Sequence, residues 1–338
     1  MKKNKENDFP ALLSGFLVDH LPSARNYSPN TVESYRTTFR ILLEYLEAVK
    51  GKKRMRMRME DLDRNTIMDF LSWLQSERKV SENTRNQRLA AIHSFFKYVA
   101  VEAPQHMATV QEVLTIPQVK STRNLVPYLK ADEVKRLLSQ PDINTKDGRR
   151  DLALLSLCYD AALRVQELCD LRPVNLHMDN PAYIDILGKG RKHRPVPLME
   201  NTRKLLRGYL KENHLDRQWN LDRPLFQNRS GGFLSRSGVT YILQKYAAAA
   251  GIEINGKKIT PHIMRHSKAV HLLNAGVDIY RVKDFLGHES IQTTEIYVEL
   301  DMETKRKTLE DASREIVPET DSKDWTKDSD LMDFLLSL

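Results

Sequence analysis

Six side chains between residues 164 and 297 have the chemistry needed to cut a phosphodiester. They are Arg164 in LRVQEL, Lys189 in GKGRKHRPVPL, His262 and Arg265 in HIMRH, His288 in LGH, and Tyr297 in TTEIYVEL. Arginine suits two non-bridging phosphate oxygens, because its planar fork binds bidentately and stays charged. Lysine and histidine can move protons, and a phenol can attack phosphorus. The set predicts phosphoryl transfer through Tyr297 that requires neither a metal nor a cofactor.

The order and spacing of these residues make the pattern specific. His262 and Arg265 are three positions apart, so they share one helix face. His288 follows His262 by 26 positions, and Tyr297 follows His288 by nine. A prescribed residue occurs by chance at roughly one position in twenty. In residue type, order and context, the set resembles the tyrosine recombinase (phage integrase) family, over about residues 26–310. Xer-like recombinases and integrases of mobile elements are the most similar members.

The resemblance implies a site-specific DNA recombinase that cuts and rejoins strands through a 3′-phosphotyrosine. It implies a mainly α fold with a small β-sheet: an N-terminal helical, SAM-like core-binding domain and an α+β catalytic domain, closed around DNA as a C-shaped clamp. Lys189 would protonate the leaving 5′ oxygen. The implied partners are double-stranded DNA with specific recombination sites, further copies of the chain in a tetramer joined through C-terminal tails, and accessory proteins.

Each of these residues alone also fits a structural role. Arg164 could form only a salt bridge to Glu167, three residues on, although Glu167 could at the same time orient the guanidinium. Lys189 could be a solvated lysine in a GKG turn, with Lys192 and Arg194 as local competitors. The complete set outweighs these structural interpretations.

Neighbouring histidines and tyrosines are assigned to packing or to the surface. His266 is expected to point away from the site, and His271 and His177 are expected to be structural or surface residues. The rival nucleophile Tyr280 lacks the spacing from LGH. It is assigned to packing, as are two further tyrosines, Tyr241 and Tyr246.

The charge of the chain favours a polyanionic partner. Its net charge is +8 and its pI about 9.3. Residues 319–338 carry six acidic residues and two lysines, so residues 1–318 carry +12. This distribution predicts that DNA binds the basic body, although surplus lysine can also serve solubility alone.

The remaining composition favours a cytoplasmic protein that binds no membrane. No run of 18 apolar residues occurs, and the N-terminal MKKNKENDFP lacks the apolar region of a signal peptide. The two cysteines, Cys158 and Cys169, lie in an apolar stretch and are expected to be buried free thiols.

The predicted organisation has four parts. Residues 1–116 form the helical core-binding domain, 117–130 a linker, 131–317 the catalytic domain, and 318–338 an acidic linker with a C-terminal helix that docks on another subunit. Helices are predicted at about 29–49, 65–78, 82–99, 108–114, 132–138, 151–171, 202–212, 237–250, 260–274, 277–286 and 291–300. A β-hairpin is predicted from 183–187 and 193–198 around a Gly-Lys-Gly turn.

DNA-contacting residues are predicted on both domains. Arg85, Asn86 and Arg88 are expected on the face of an N-terminal helix opposite its apolar face, and residues 52–58 could hold phosphates. On the catalytic domain, the expected contacts are Arg229, Arg236 and Lys268.

Two other functions use the same residues differently. A type IB topoisomerase-like enzyme would share the chemistry without exchanging strands, and a non-catalytic DNA-binding protein would keep only the scaffold. The complete set of six residues argues against the second.

Overall fold

The computed structural model of the chain describes residues 8–24, 27, 29–53, 56–120, 127–188, 193–254, 256, 258–288 and 290–295. The chain divides into two compact units, Met1–Arg123 and Asn124–Leu338. This division lies within the predicted linker, whose bounds stay a prediction. The predicted fold class, mainly α with a small β-sheet, is confirmed.

The first unit is helical. Its helices are α1 (Phe9–Ser14), a π-helical segment (Gly15–Ala24), α2 (Pro29–Ala48), α3 (Arg64–Ser76), α4 (Glu82–Glu102) and α5 (Met107–Leu114), with short 3₁₀ turns at Met59–Leu62 and Pro104–His106. Side-chain caps fix two of the starts, because Asp63 and Ser81 accept the backbone N–H of Thr66 and Thr84, at 2.7 and 3.3 Å. The four helices predicted in this unit are therefore present.

Aromatic side chains form the centre of this unit. The Phe39 and Phe95 rings lie edge to face with centroids 5.2 Å apart, and Phe16 contacts both at 6.0 and 5.4 Å. Phe9 and Phe16 come from the first helical segments, Phe9–Ala24, which the sequence patterns did not predict. This stretch completes the core of the unit.

The second unit surrounds a three-stranded antiparallel sheet with helices. Its elements are α6 (Ala131–Leu138), α7 (Lys146–Asp160), α8 (Val165–Asp170), β1 (Leu176–His177), β2 (Tyr183–Leu187), β3 (His193–Pro197), α9 (Glu200–Glu212), α10 (Arg236–Ala249), α11 (Pro261–Asn274), α12 (Ile279–Leu286) and α13 (Gln292–Glu295). The sheet order is β1-β2-β3, and Ile184 pairs with Val196. The predicted hairpin is present, and β1 is an additional strand.

One predicted helix is broken at a position that matters for the site. The pattern predicted mostly helical structure over 151–171, but α7 ends at Asp160 and α8 begins at Val165. Ala162 between them has a φ of +46°, a left-handed conformation that a side chain makes costly. The break places Arg164 at the corner that precedes α8.

None of the helices in the described part of the chain has the length and apolar character that a membrane span requires.

We predict that Phe95→Ala destabilises the first unit by about 3–5 kcal/mol, because it removes a fully buried ring that four other phenylalanine rings contact. Urea denaturation, monitored through the transition in which this unit unfolds, measures the loss. Lys97→Ala on the exposed face of the same helix is the control. Equal midpoints for the two variants would contradict this account of the core.

Candidate active site

Arg164 is fixed by a carboxylate and by a backbone carbonyl. Its backbone N–H and its Nη1 donate to the two oxygens of Glu167, both at 2.8 Å, and its Nη2 donates to the Gly287 carbonyl at 2.8 Å. The side chain keeps 37% of its surface exposed. The expectation that Glu167 could orient this guanidinium is confirmed, and the contacts leave part of Arg164 open to a ligand.

Arg265 is held in the interior, in the middle of α11. It is 2% exposed, and its Nη1 and Nη2 donate to the carbonyls of Ala162 and Leu286, at 2.6 and 2.5 Å. A buried guanidinium is tolerated only where its donors find acceptors. One of these carbonyls belongs to the left-handed Ala162, so the break between α7 and α8 supplies an acceptor for Arg265.

His288 is placed by the turn that ends α12. Gly287 closes that helix with a φ of +65°, a conformation that favours glycine, and the His288 N–H donates to the Lys283 carbonyl at 3.1 Å. The His288 Nδ1 lies 2.9 Å from the Oγ1 of the buried Thr294. The imidazole is therefore oriented by α12 on one side and by α13 on the other.

Burial and the nearby arginines keep the site histidines neutral. Burial makes the largest contribution, and together with the positive charges of Arg265 and Arg164 it lowers the pKa of His288 to about 4. The pKa of His262 is lowered by burial and by the same two arginines. The hydrogen bonds of Arg164 to Gly287 and of Arg265 to Leu286 place both guanidiniums at the turn that carries His288, and His262 lies on the same helix as Arg265, so the four described members of the predicted set lie together.

His266 lies beside the site, so the expectation that it points away is wrong. Its ring stacks on that of His262, with centroids 5.7 Å apart and planes 17° from parallel. The i, i+4 spacing on α11 causes this, because residues four apart share one helix face. Burial, His262 and Arg265 lower the pKa of His266 to about 4.

Arg194 is a site residue that the sequence patterns identified only as a competitor of Lys189. It lies in β3, and its Nη1 and Nη2 donate to the two Glu167 oxygens at 2.9 and 3.1 Å. Its sequence signal is weak, because it is one of several basic residues in GKGRKHRPVPL. A partner 27 residues away could be found only in three dimensions.

Two members of the predicted set lie outside the described residues. Lys189 belongs to the stretch between β2 and β3, and Tyr297 follows the last residue of α13 by two positions. The C-terminal segment 318–338 lies outside them as well. The roles assigned to these residues stay predictions.

The predicted DNA contacts on α4 are held within the first unit. Arg85 is 8% exposed, so the expectation that it lies opposite the apolar face is wrong. Asn86 bridges to the backbone of Val119, accepting its N–H and donating to its carbonyl. Arg88 donates to the Ser34 carbonyl and to the hydroxyl of Thr38. These contacts tie α4 to its neighbours, and contact with DNA stays a prediction for all three.

The predicted contacts on the second unit divide into two groups. Arg229 and Arg236 are exposed, the first on a turn organised by Asn228 and the second at the first position of α10. Lys268, in contrast, forms an ion pair of 3.1 Å with Asp160 and has little exposed surface. Lys268 is therefore bound internally, and only the two arginines present open side chains.

The remaining assignments have mixed outcomes. Tyr280 is 63% and Tyr241 70% exposed, so their assignment to packing is wrong, whereas Tyr246 is buried as expected. The structural or surface roles expected for His271 and His177 are confirmed, because His271 forms a hydrogen bond with Tyr159 and His177 stacks on Tyr183. Cys158 and Cys169 are buried free thiols, as expected.

We predict that His288 stays neutral from pH 7 down to about pH 5 in the DNA-free protein, because its pKa is about 4. The unfolded chain takes up this proton near pH 6.5, so stability linked to His288 is present above that pH and falls as the pH drops towards 4. Histidine NMR titration measures the pKa, with His288→Gln assigning the signal. Protonation of His288 near pH 6.5 would show that burial and the arginines do not lower its pKa.

Two family descriptions match the chain. The Phage integrase family matches residues 127–304, more than half of the chain, and the phage integrase N-terminal SAM-like domain matches residues 15–103. The first match contains Arg164, Lys189, Arg265 and Tyr297, and both follow the division into two units.

Relatives match over most of the chain. A protein of Sinorhizobium fredii (strain NBRC 101917 / NGR234) named "Putative integrase/recombinase y4rC" is 40% identical over 308 residues, which cover 90% of this chain and 92% of the relative. The tyrosine recombinase XerD of Listeria monocytogenes serotype 4b (strain F2365) is 34% identical, over 81% of this chain and 89% of its own.

The fold matches solved recombinase structures. The XerH site-specific recombinase bound to its palindromic difH substrate superposes with a TM-score of 0.66 and 23% identity, over 86% of this chain and 81% of XerH. Together with the family match and with relatives above 30% identity over nearly their whole length, this places the chain in the phage integrase family of tyrosine recombinases.

Proposed function

We propose that this recombinase cuts and rejoins DNA at specific sites with Tyr297 as its nucleophile. The observation that supports this most strongly is the meeting of Arg164, His262, Arg265 and His288 at one place, with both guanidiniums fixed by internal hydrogen bonds. Such an arrangement suits a dianionic transition state, because the donors are oriented before the substrate arrives.

In the proposed reaction, the Tyr297 oxygen attacks phosphorus and the bond from phosphorus to the 5′ oxygen breaks. Lys189 gives its proton to that 5′ oxygen, which leaves as a hydroxyl. Neutral His288 can accept the phenolic proton that Tyr297 loses as it attacks. A 5′ hydroxyl from a second duplex then attacks the phosphotyrosine, and Tyr297 is released.

The arginines neutralise the two non-bridging oxygens. A guanidinium has five N–H groups, and among the described residues Arg164 uses two of them, on Glu167 and Gly287, so three can serve a phosphate. Arg265 adds a second positive charge that its burial keeps poorly screened. His262 is exposed on the same helix as Arg265, and both arginines lower its pKa, so it supplies a further group at the same place.

The proposed assembly on DNA rests on the positive charge of residues 1–318 and on the C-terminal segment. Double-stranded DNA would contact the basic body, with exposed Arg229 and Arg236 on the second unit. The apolar segment 330–338, beyond an acidic stretch, would dock on a neighbouring copy in a tetramer on DNA. The protein would act in the cytoplasm, on the nucleoid.

We predict that Tyr297→Phe abolishes covalent attachment to DNA but leaves DNA affinity nearly unchanged, because only a hydroxyl is lost. Suicide DNA substrates carrying candidate sites trap the adduct, which denaturing gels detect. Tyr280→Phe, on an exposed tyrosine of α12, is the matched control and should form the adduct at the wild-type rate. An adduct formed by Tyr297→Phe and lost in Tyr280→Phe would assign the nucleophile to Tyr280.

We predict that Lys189→Ala lowers cleavage of ordinary DNA by at least about 10²-fold, as expected for the loss of a general acid. A substrate with sulfur at the 5′ bridging position should restore cleavage, because a thiolate leaves without a proton. Rates of adduct formation on both substrates measure the rescue, with Lys192→Ala as the local control. If sulfur does not rescue Lys189→Ala while DNA binding persists, Lys189 only positions the phosphate.

A further inference from the structure

One carboxylate lies between two arginines at the site. Glu167 has only 8% of its side-chain surface exposed and binds Arg164 on one side and Arg194 on the other. Arg194, itself 15% exposed, donates through both Nη atoms, at 2.9 and 3.1 Å. This paired contact is the fork geometry that arginine makes with a carboxylate, and a lysine could not reproduce it.

Arg194 also packs against the turn that carries His288. A Cβ placed on Gly287 would lie 3.0 Å from the Cδ, Nε and Cζ atoms of Arg194. The Arg194 Nε is buried and makes no hydrogen bond in the described part of the chain. The guanidinium is therefore held by Glu167 and by its close approach to the glycine backbone, and Gly287 is required for space as well as for its positive φ.

These contacts close a ring of four residues. Arg194 binds Glu167, Glu167 binds Arg164, Arg164 donates to the Gly287 carbonyl, and Gly287 lies against Arg194. The ring joins three segments that are distant in sequence: the corner before α8, strand β3 and the end of α12. Strand β3 is also the strand that follows Lys189 in the sequence.

We infer that Arg194 is a positioning residue, which holds Glu167 and the Gly287 turn so that Arg164 and His288 face the phosphate together. This inference rests on the proposed function, because positioning has meaning only for a reaction at this site. Arg194 keeps only 15% of its side-chain surface exposed, and in this role it acts through Glu167 and not by contact with DNA.

The charges of the ring agree with this role. Burial raises the pKa of Glu167, but the hydrogen bonds and charges of Arg194 and Arg164 outweigh it, and the pKa is lowered overall. Glu167 is therefore ionised and can hold Arg164 at any pH above its lowered pKa. Of the two arginines, Arg194 lowers the pKa of Glu167 more. Its loss would therefore raise the pKa of Glu167, and Arg164 would lose its ionised partner as the pH falls.

The test compares Arg194→Met and Arg194→Lys with Arg223→Met, an exposed arginine of the same unit. The rate of covalent adduct formation on a suicide DNA substrate, DNA affinity and thermal midpoint are measured for each variant between pH 5.5 and 8. Arg194→Met should lower the adduct rate by about 10²-fold, with affinity within about threefold. Its rate should fall more steeply than the wild-type rate as the pH is lowered across this range, while Arg223→Met should match the wild type.

A double-mutant cycle identifies the path of the effect. If Arg194 acts through Glu167, Arg194→Met combined with Glu167→Gln should be no slower than the slower single variant. Partial retention of rate by Arg194→Lys would show that charge contributes beside the fork. Independent, multiplying losses would overturn the inference, as would a rate loss that only follows a lowered thermal midpoint.

A measurement without catalysis separates this inference from the proposed function. If the wild-type protein forms no adduct, the proposed function fails, but arginine side-chain ¹⁵N relaxation in the DNA-free protein still reports on the ring. The Arg164 Nε–H should be rigid in the wild type and in Arg223→Met, and mobile in Arg194→Met. An equally rigid Arg164 in Arg194→Met would overturn the positioning role.

Discussion

The buried guanidinium of Arg265 constrains the whole catalytic unit. A permanent charge with almost no contact to water must have acceptors, and it finds them in the carbonyls of Ala162 and Leu286. Both carbonyls lie at or just beyond helix C-termini, where unsatisfied carbonyls and the helix dipole favour a cation. Each also lies two residues before a site residue: Arg164 follows Ala162, and His288 follows Leu286. Arg265 thus fixes the starting points of both segments.

The same arrangement determines the electrostatics of the site. Glu167 compensates Arg164 and Arg194, while Arg265 is held by uncharged carbonyls, so the site as a whole remains positive. That charge suits a phosphodiester and keeps the histidines neutral near pH 7, because burial and the arginines lower the pKa values of His262, His266 and His288. Neutral imidazoles can exchange hydrogen bonds and protons with the reacting groups, whereas imidazolium ions would already be saturated with protons.

The sequence grouped the candidate site residues better than it predicted their surroundings. Residue type and spacing were enough to group Arg164, His262, Arg265 and His288, because the chemistry of a side chain can be read directly from the sequence. Arg194 and Glu167 required the fold, since their pairing spans 27 residues and two kinds of element. The prediction that Arg85 lies opposite the apolar face of α4 failed for a related reason. Helical periodicity gives only an approximate face, and the packing of α4 buries this side chain. The break at Ala162 was missed because a left-handed alanine has no sequence signal comparable to glycine.

The central claim is that the phosphate site is preformed, with both arginines anchored before DNA arrives. A crystal structure of the Tyr297→Phe variant bound to an uncleaved recombination site tests it most directly. We expect Arg265 to keep its hydrogen bonds to Ala162 and Leu286, Arg164 to keep those to Glu167 and Gly287, and both guanidiniums to contact the scissile phosphate. Guanidiniums that abandon these anchors to reach the phosphate, or that lie away from it, would contradict the claim.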